Sequence, residues 1–188
     1  MKRTLSLMLA LVMAVSLMAC GKKDDGKNNA DAPADSLALL TKVWDSYTDD
    51  EKFPAAGGDY ETSVDDAPGA FDPSNADNLN FLLTVPTEDA SLIDDAASLM
   101  HMMNANTFTC GAFRLKDAAD ADAVCAAIHD GLNSKQWMCG FPDKMVIAKV
   151  SGCIVSVYGA EDLVNTFRDK LTAAYENAEI VYDEAIAF

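Results

Sequence analysis

The chain has 188 residues, with 14 basic and 30 acidic side chains, five cysteines and an apolar fraction of 50%. The net charge of −16 argues against a nucleic-acid-binding protein, because such proteins carry a basic surface that neutralises phosphates. The length suits one ordinary domain, and the apolar fraction is too high for a disordered chain. We therefore expect a single packed domain that binds no nucleic acid.

The first twenty residues have the pattern of an export signal. Lys2 and Arg3 precede an uncharged, largely apolar run over residues 5–18, which is followed by Ala19 and Cys20. The run is too short to cross a bilayer, which takes about 20 apolar residues. A charged start, a short apolar run and a small residue are typical of a cleaved signal, so we predict that residues 1–19 are removed.

The sequence Leu17-Met18-Ala19-Cys20 resembles the lipobox of bacterial lipoproteins, in which the signal is cut before a cysteine that carries diacylglycerol. Met18 departs from the motif, which usually has a smaller residue there, whereas Gly21 fits it. Two acyl chains hold a protein on a membrane where one chain is marginal. Cys20 is therefore the predicted lipidation site, at the outer face of the cell membrane. A soluble secreted product is the alternative.

Residues 20–34 are predicted to be the lipidated cysteine and a flexible tether, because residues 21–34 contain no aromatic or β-branched side chain. Residues 35–188 then form the domain. Its charge is uneven: residues 45–95 contain 14 acids and one base, Lys52, and carry −13. This acidic, loop-rich part, here called the acidic segment, is where the sequence directs a first search for a binding site.

Elements in the first half are predicted by caps, turn residues and apolar spacing. In chain order they are a helix capped by Asp35 or Ser36 and ending near Asp49, an irregular segment from Phe53 to Ala76, an ambiguous apolar stretch from Asn78 to Val85, and a helix from Pro86 that includes Leu92, Ile93, Ala96 and Ala97.

The second half has stronger signals. They predict strands over 99–104 and 107–115, a helix from Asp117, a hairpin over 144–158 that turns at Ser151-Gly152, a helix carrying Leu163 to Tyr175, and a tail at Ile180–Tyr182 that is either an edge strand or loose. Two hairpins, each followed by a helix, predict an α+β domain of two layers. In it an antiparallel sheet of about four strands carries helices on one face.

Several of these segments resemble small Gram-positive lipoproteins of the domain-of-unknown-function 4358 family. The resemblance rests on Met102-Met103-Asn104, Phe108–Asp117, the helix that follows, and the hairpin ending at Val155–Tyr158. It covers roughly residues 36–175 and consists of hydrophobic and turn patterns. It implies a location on the outer face of the membrane in clostridial-type bacteria, and it implies no activity.

Four cysteines remain once Cys20 is assigned to lipid: Cys110, Cys125, Cys139 and Cys153. An even number in an exported chain permits two disulfides, with three connectivities. Buried thiols are the other interpretation, because Cys110 and Cys153 lie in strands with core-like neighbours. The chain has no C-x₂-C pair, so the spacing does not favour zinc.

Other metal patterns are incomplete. Cys125 and His129 have helical ligand spacing but lack further ligands, and Met100–Met103 has soft ligands for copper(I) but alternates its faces as a strand. The stretch Asp72–Asp77 fails the EF-hand pattern, and Asp120 and Asp122 suit the first turn of a helix. We predict no cofactor and no specific metal site, with divalent-cation binding by the acidic surface as an alternative function.

Enzyme signatures are missing from the sequence, apart from a formal pairing of Cys139 with His101 or His129. The sequence therefore favours a lipid-anchored, non-catalytic binding or interaction module. Its partners are expected to be the membrane, through diacylglycerol on Cys20, and an envelope protein or small ligand of unknown identity. An uncharacterised enzyme is the weaker alternative.

Overall fold

The structure, a computed structural model, describes residues 32–103 and 107–186. The export signal 1–19, Cys20 and most of the tether lie outside the described residues. Among the described residues, no helix combines the length and the apolar character that a membrane span requires.

The described residues form helices and strands in alternating groups. The helices are α1 (Ser36–Asp45), α2 (Ala76–Leu83), α3 (Ala121–Ser134) and α4 (Glu161–Ala174). The strands are β1 (Ala55–Gly57), β2 (Val64–Asp65), β3 (Gly69–Phe71), β4 (Ile93–His101), β5 (Phe108–Leu115), β6 (Lys144–Val150), β7 (Cys153–Gly159) and β8 (Glu179–Ala185).

All eight of these strands belong to one antiparallel sheet. The order is β2-β1-β4-β5-β7-β6-β8, and β3 pairs with β4 beside β1. Pairing of β5 with β7 joins the two hairpins β4–β5 and β6–β7 at the centre. The prediction of about four strands is wrong, because it counted only these hairpins. Strands of two or three residues, such as β1, β2 and β3, are too short to show an alternating pattern.

Helices cover both faces of the sheet, so the domain has three layers, and the predicted two-layer arrangement with helices on one face is wrong. One core packs α1 and α4 against the sheet through Leu39, Leu40, Val43, Phe167 and Leu171. The other packs α2 and α3 through Leu79, Leu83, Val124, Ile128 and Leu132. Every residue of β7 is buried, which requires cover on both sides. Continuous apolar runs of this kind mark fully buried strands.

Burial on both faces also explains a wrong helix prediction. The stretch from Pro86 to Ala97 forms a 3-10 turn at Ala90–Leu92 and then enters β4. Its apolar residues are adjacent because Ala96 belongs to one core and Ala97 to the other. A strand that is buried on both faces therefore has apolar residues at neighbouring positions, and this pattern can be mistaken for the apolar spacing of a helix.

Two other predictions concern the ends of the domain. Asp35 caps α1 by accepting a 2.7 Å hydrogen bond from the Ala38 backbone N–H, but the helix ends at Asp45 rather than near Asp49. The tail forms edge strand β8, whose charged side chains are Glu179, Asp183 and Glu184. Arg168 of α4 donates to Asp183 at 2.8 Å, which fixes this strand to the helix layer.

Candidate functional site

A cleft of about 210 Å³ lies at one end of the sheet, where β4 and β7 end and β5 begins. Its floor is a row across three strands, because Met100 pairs with Thr109 and Thr109 pairs with Tyr158. The walls come from the end of α2 and from the connection between α3 and β6. The wall residues are Phe81, Leu82, Trp137, Cys139, Gly140 and Pro142.

The connection between α3 and β6, residues 135–143, is here called the strap. It contains neither helix nor strand. Its end is held where the Asp143 backbone N–H donates to the Gly159 carbonyl at 2.9 Å. The Trp137 ring packs against Tyr158, with 5.6 Å between ring centroids. The strap therefore forms a wall of the cleft through side-chain packing.

Exposed apolar side chains gather at this end of the domain. Of the seven large apolar residues that are exposed among the described residues, one lines the cleft and four are within two positions of a lining residue in the chain. They are Phe81, Met102, Met103, Met138 and Phe141, and Met138 is 88% exposed. Phe81 itself lines the cleft. Met102 and Met103 come directly after His101, which is a lining residue. Met138 and Phe141 each lie between two lining residues of the strap. Grouped exposure of this kind marks a binding surface.

The indole of Trp137 and the ammonium of Lys135 provide polar groups beside the apolar walls. Trp137 Nε1 is sealed from solvent and has no hydrogen-bond partner among the described residues. Lys135 Nζ lies 5.0 Å from the Trp137 ring centroid and donates to uncharged atoms, Thr84 Oγ1 at 2.9 Å and the Phe81 carbonyl at 3.4 Å. Burial lowers the pKa of Lys135. An ammonium that has no carboxylate partner in the described part of the chain thus lies against one wall.

His101 lines the cleft with its hydrogen-bonding roles already set. Its Nδ1 accepts the Met103 backbone N–H at 2.9 Å, and its ring stacks on Phe53. Burial lowers the pKa of His101, which favours the neutral imidazole. A neutral ring whose Nδ1 accepts carries its proton on Nε2, so that nitrogen is a donor.

The four cysteines described by the structure are free thiols. Cys110, Cys125 and Cys153 are buried in the cores, and only Cys139 is exposed. Burial raises the pKa of Cys125 and of Cys153 to about 11, and raises that of Cys110 as well. The structure therefore agrees with the buried-thiol interpretation for three of them and places the fourth in the cleft.

The sequence offers two partners for Cys139, namely His101 and His129, and the structure places them differently. Cys139 and His101 line the same cleft. His129 lies on α3 and contacts Glu184 of β8, and its hydrogen-bond partners among the described residues do not include Cys139. The strand expected over Met100–Met103 ends at His101, and Met102 and Met103 are exposed beyond it.

The acidic segment is folded around one buried carboxylate rather than around a cation site. Asp59, 8% exposed, accepts hydrogen bonds from the backbone N–H groups of Glu61, Thr62 and Asp72. Burial works to raise the pKa of Asp59, but these bonds outweigh it and the pKa is lowered. Across residues 32–103 and 107–186, no group of three or more His, Cys, Asp or Glu side chains is arranged to hold a metal ion.

Sequence reasoning missed two residues that line the cleft, Phe81 and Trp137, and three strap residues next to lining residues or their rings, Lys135, Met138 and Phe141. The one available signal was the apolar content of the strap, which is unusual for a connection between a helix and a strand. Comparison with family models, curated proteins and solved structures gives no match to this chain.

Proposed function

We propose that this protein is an exported, lipid-anchored surface lipoprotein whose domain is a non-catalytic binding module, with the cleft as its binding site. The observation that carries the proposal is the grouping of exposed apolar side chains around one cavity. Leaving these side chains in water is unfavourable, and a bound partner removes them from it.

The lipid anchor is supported by the lipobox-like sequence that ends at Cys20. Residues 21–34, which contain no aromatic or β-branched side chain, are the proposed tether. A flexible coil of that length spans about 20 Å. The domain would be held just clear of the lipid headgroups. The resemblance to lipoproteins of the domain-of-unknown-function 4358 family is part of this proposal.

The non-catalytic assignment is supported by the state of His101. A Cys–His pair needs an imidazole nitrogen that can take the thiol proton. In His101, Nδ1 already accepts the Met103 backbone N–H, so this nitrogen is not placed to take a proton from Cys139.

The binding proposal is tested through Cys139, because an occupied cleft should shield this thiol. The full chain, kept in its own membranes, is treated with N-ethylmaleimide, and the rate of Cys139 alkylation is followed by mass spectrometry. Three single-ring probes are added in turn: neutral phenylacetamide, cationic phenethylamine and anionic phenylacetate. We expect at least one probe to slow alkylation at least fivefold, in a saturable manner.

A matched control places the thiol elsewhere. In a Cys139→Ser background, Tyr60→Cys puts a thiol at a site that is 64% exposed and does not line the cleft. The probes should leave its alkylation rate unchanged. If no probe protects Cys139, or if all protect both thiols equally, the cleft is not a binding site.

The anchor is tested by the mass of the protein purified from its own membranes. The expected mass is that of a chain beginning at Cys20 with diacylglycerol on its sulfur. A chain that retains residues 1–19, or that carries an unmodified Cys20, would overturn the anchor.

A further inference from the structure

We propose that the cleft binds a small aromatic monocarboxylate, a single ring that carries one carboxylate arm. This inference rests on the proposed binding function and specifies its ligand. The juxtaposition that carries it is an apolar cavity with no acidic lining residue, beside an ammonium and an indole N–H that have no carboxylate partner and no acceptor, respectively, among the described residues.

Size sets the upper limit on the ligand. Drug-sized pockets have volumes of about 300–1,000 Å³, and an apolar cavity of about 150 Å³ holds benzene. The cleft, at about 210 Å³, lies between these values. It has room for one ring and a short polar arm, and it is too small for a peptide segment of several residues.

The walls favour an aromatic ring. Phe81, Trp137 and Tyr158 line the cavity, and Met100 contributes a thioether to its floor. Aromatic rings pack favourably against other rings and against sulfur, at about 0.5–1.5 kcal/mol for each contact beyond the burial of area.

Charge favours an anion. None of the twelve residues that line the cavity is acidic, in a chain that contains 30 acids. Lys135 Nζ lies 5.0 Å from the centroid of the Trp137 ring, which lines the cavity, and its hydrogen-bond partners among the described residues are neutral. A half-buried cation without a counter-ion attracts an anion that enters the neighbouring cavity.

One N–H group beside the cavity favours an oxygen acceptor. Trp137 Nε1–H has no acceptor among the described residues, and an unsatisfied buried donor costs about 1–3 kcal/mol. A ligand carboxylate would supply that acceptor once the indole turned its Nε1 toward the cavity.

The three probes also test this inference, through the concentration that halves the Cys139 alkylation rate in the full chain. Phenylacetate should protect at a concentration at least tenfold lower than phenylacetamide or phenethylamine. Lys135→Gln should remove that advantage by raising the phenylacetate concentration about tenfold, since the attraction between the ammonium and a carboxylate in the neighbouring cavity is lost. Protection by phenylacetamide should be unchanged, which shows that the cleft is intact.

Two lysine variants complete the test. Lys135→Arg keeps the charge and should retain the preference for phenylacetate. Lys116→Gln removes a lysine that bonds the Ser91 carbonyl away from the cleft and should have no effect. Equal protection by all three probes would overturn the carboxylate inference and leave the binding function standing. A preference for phenylacetate that survives Lys135→Gln would overturn it too, whereas no protection by any probe would overturn both proposals.

Discussion

His129 Nε2 lies 2.8 Å from Glu184 Oε1, and this contact joins α3 to the edge strand β8. The second ring nitrogen lies 2.9 Å from Asp130 Oδ1, and the ring stacks on Tyr182. An imidazole donates from both nitrogens only when it is protonated. Two carboxylates on opposite sides of one ring therefore favour the imidazolium form.

The two histidines of the chain should titrate on opposite sides of the ordinary histidine pKa of about 6.5. Burial works to lower the pKa of His129, but the hydrogen bonds to Asp130 and Glu184 outweigh it and raise the pKa. For His101, burial alone lowers the pKa. NMR titration of the imidazole Cε1–H signals measures both. Glu184→Gln should lower the His129 value and leave His101 unchanged, and coincident curves for the two residues would contradict this prediction.

The same contact predicts how stability depends on pH. Because the pKa of His129 is raised in the folded state, its contribution is complete below the unfolded pKa and disappears as the pH rises through the folded pKa. His129→Gln should therefore destabilise the protein more at pH 6 than at pH 8.5. Urea unfolding at both values measures the difference. A loss of the same size at the two pH values would show that only the stacking on Tyr182 matters.

Thiol counting should separate Cys139 from the other cysteines. In the native protein Cys139 alone should react rapidly, because Cys110, Cys125 and Cys153 are buried and burial raises their pKa values. In strong denaturant four thiols should react rather than five, since the sulfur of a lipidated Cys20 is a thioether. A mass spectrum of the alkylated chain gives both numbers. Two rapid native thiols would contradict the burial, and five denatured thiols would contradict the lipidation.

Close contact between β1 and β3 predicts a large effect of one methyl group. A Cβ atom at Gly57 would lie 2.1 Å from the backbone nitrogen of Gly69, so one of the two strands must move. Gly57→Ala should cost about 1–3 kcal/mol or more, as overpacking does. Gly152→Ala is the control, because a Cβ there meets no atom within 4 Å and only the positive φ of 86° is unfavourable. Urea midpoints compare the two. A smaller loss for Gly57→Ala than for Gly152→Ala would show that the strands can separate at little cost.

Two helix substitutions test whether both faces of the sheet carry a core. Leu39 of α1 and Ile128 of α3 are fully buried in different cores. Each change to alanine should cost about 2–5 kcal/mol. The two costs should add in the double variant, because the residues share no core. Met138→Ala, at an exposed position, should alter stability by less than about 0.5 kcal/mol. A negligible loss at either core position would contradict the three-layer packing.

Local signals predicted much of the second half of the fold. The hairpin that turns at Ser151-Gly152 is confirmed as β6 and β7, and the helix with Val124 and Ile128 on its apolar face is confirmed as α3. Residues close in sequence determine both elements. The number of layers depends instead on which strands become neighbours. Pairing of β5 with β7 buries both faces of the central strands, and no local pattern specifies that pairing.

The cleft was beyond local patterns for the same reason. Its floor joins Met100, Thr109 and Tyr158 from three strands, and its wall brings Trp137 against Tyr158 from 21 positions away in the chain. Among the residues that line the cleft, the sequence predicts only one pair, Cys139 with His101, because a thiol and an imidazole can act together. The charge of the acidic segment predicts a binding site there, yet the residues of this segment that form a wall of the cleft, Phe81 and Leu82 of α2, are apolar.

The two ends of the sheet differ from its buried centre in how they would meet another molecule. One end is β2, which is only two residues long, and the other is β8, which carries Glu179, Asp183 and Glu184. A second copy that approached edge to edge would have to bring like charges together or extend a very short strand. Growth of the sheet from one molecule to the next is thereby opposed.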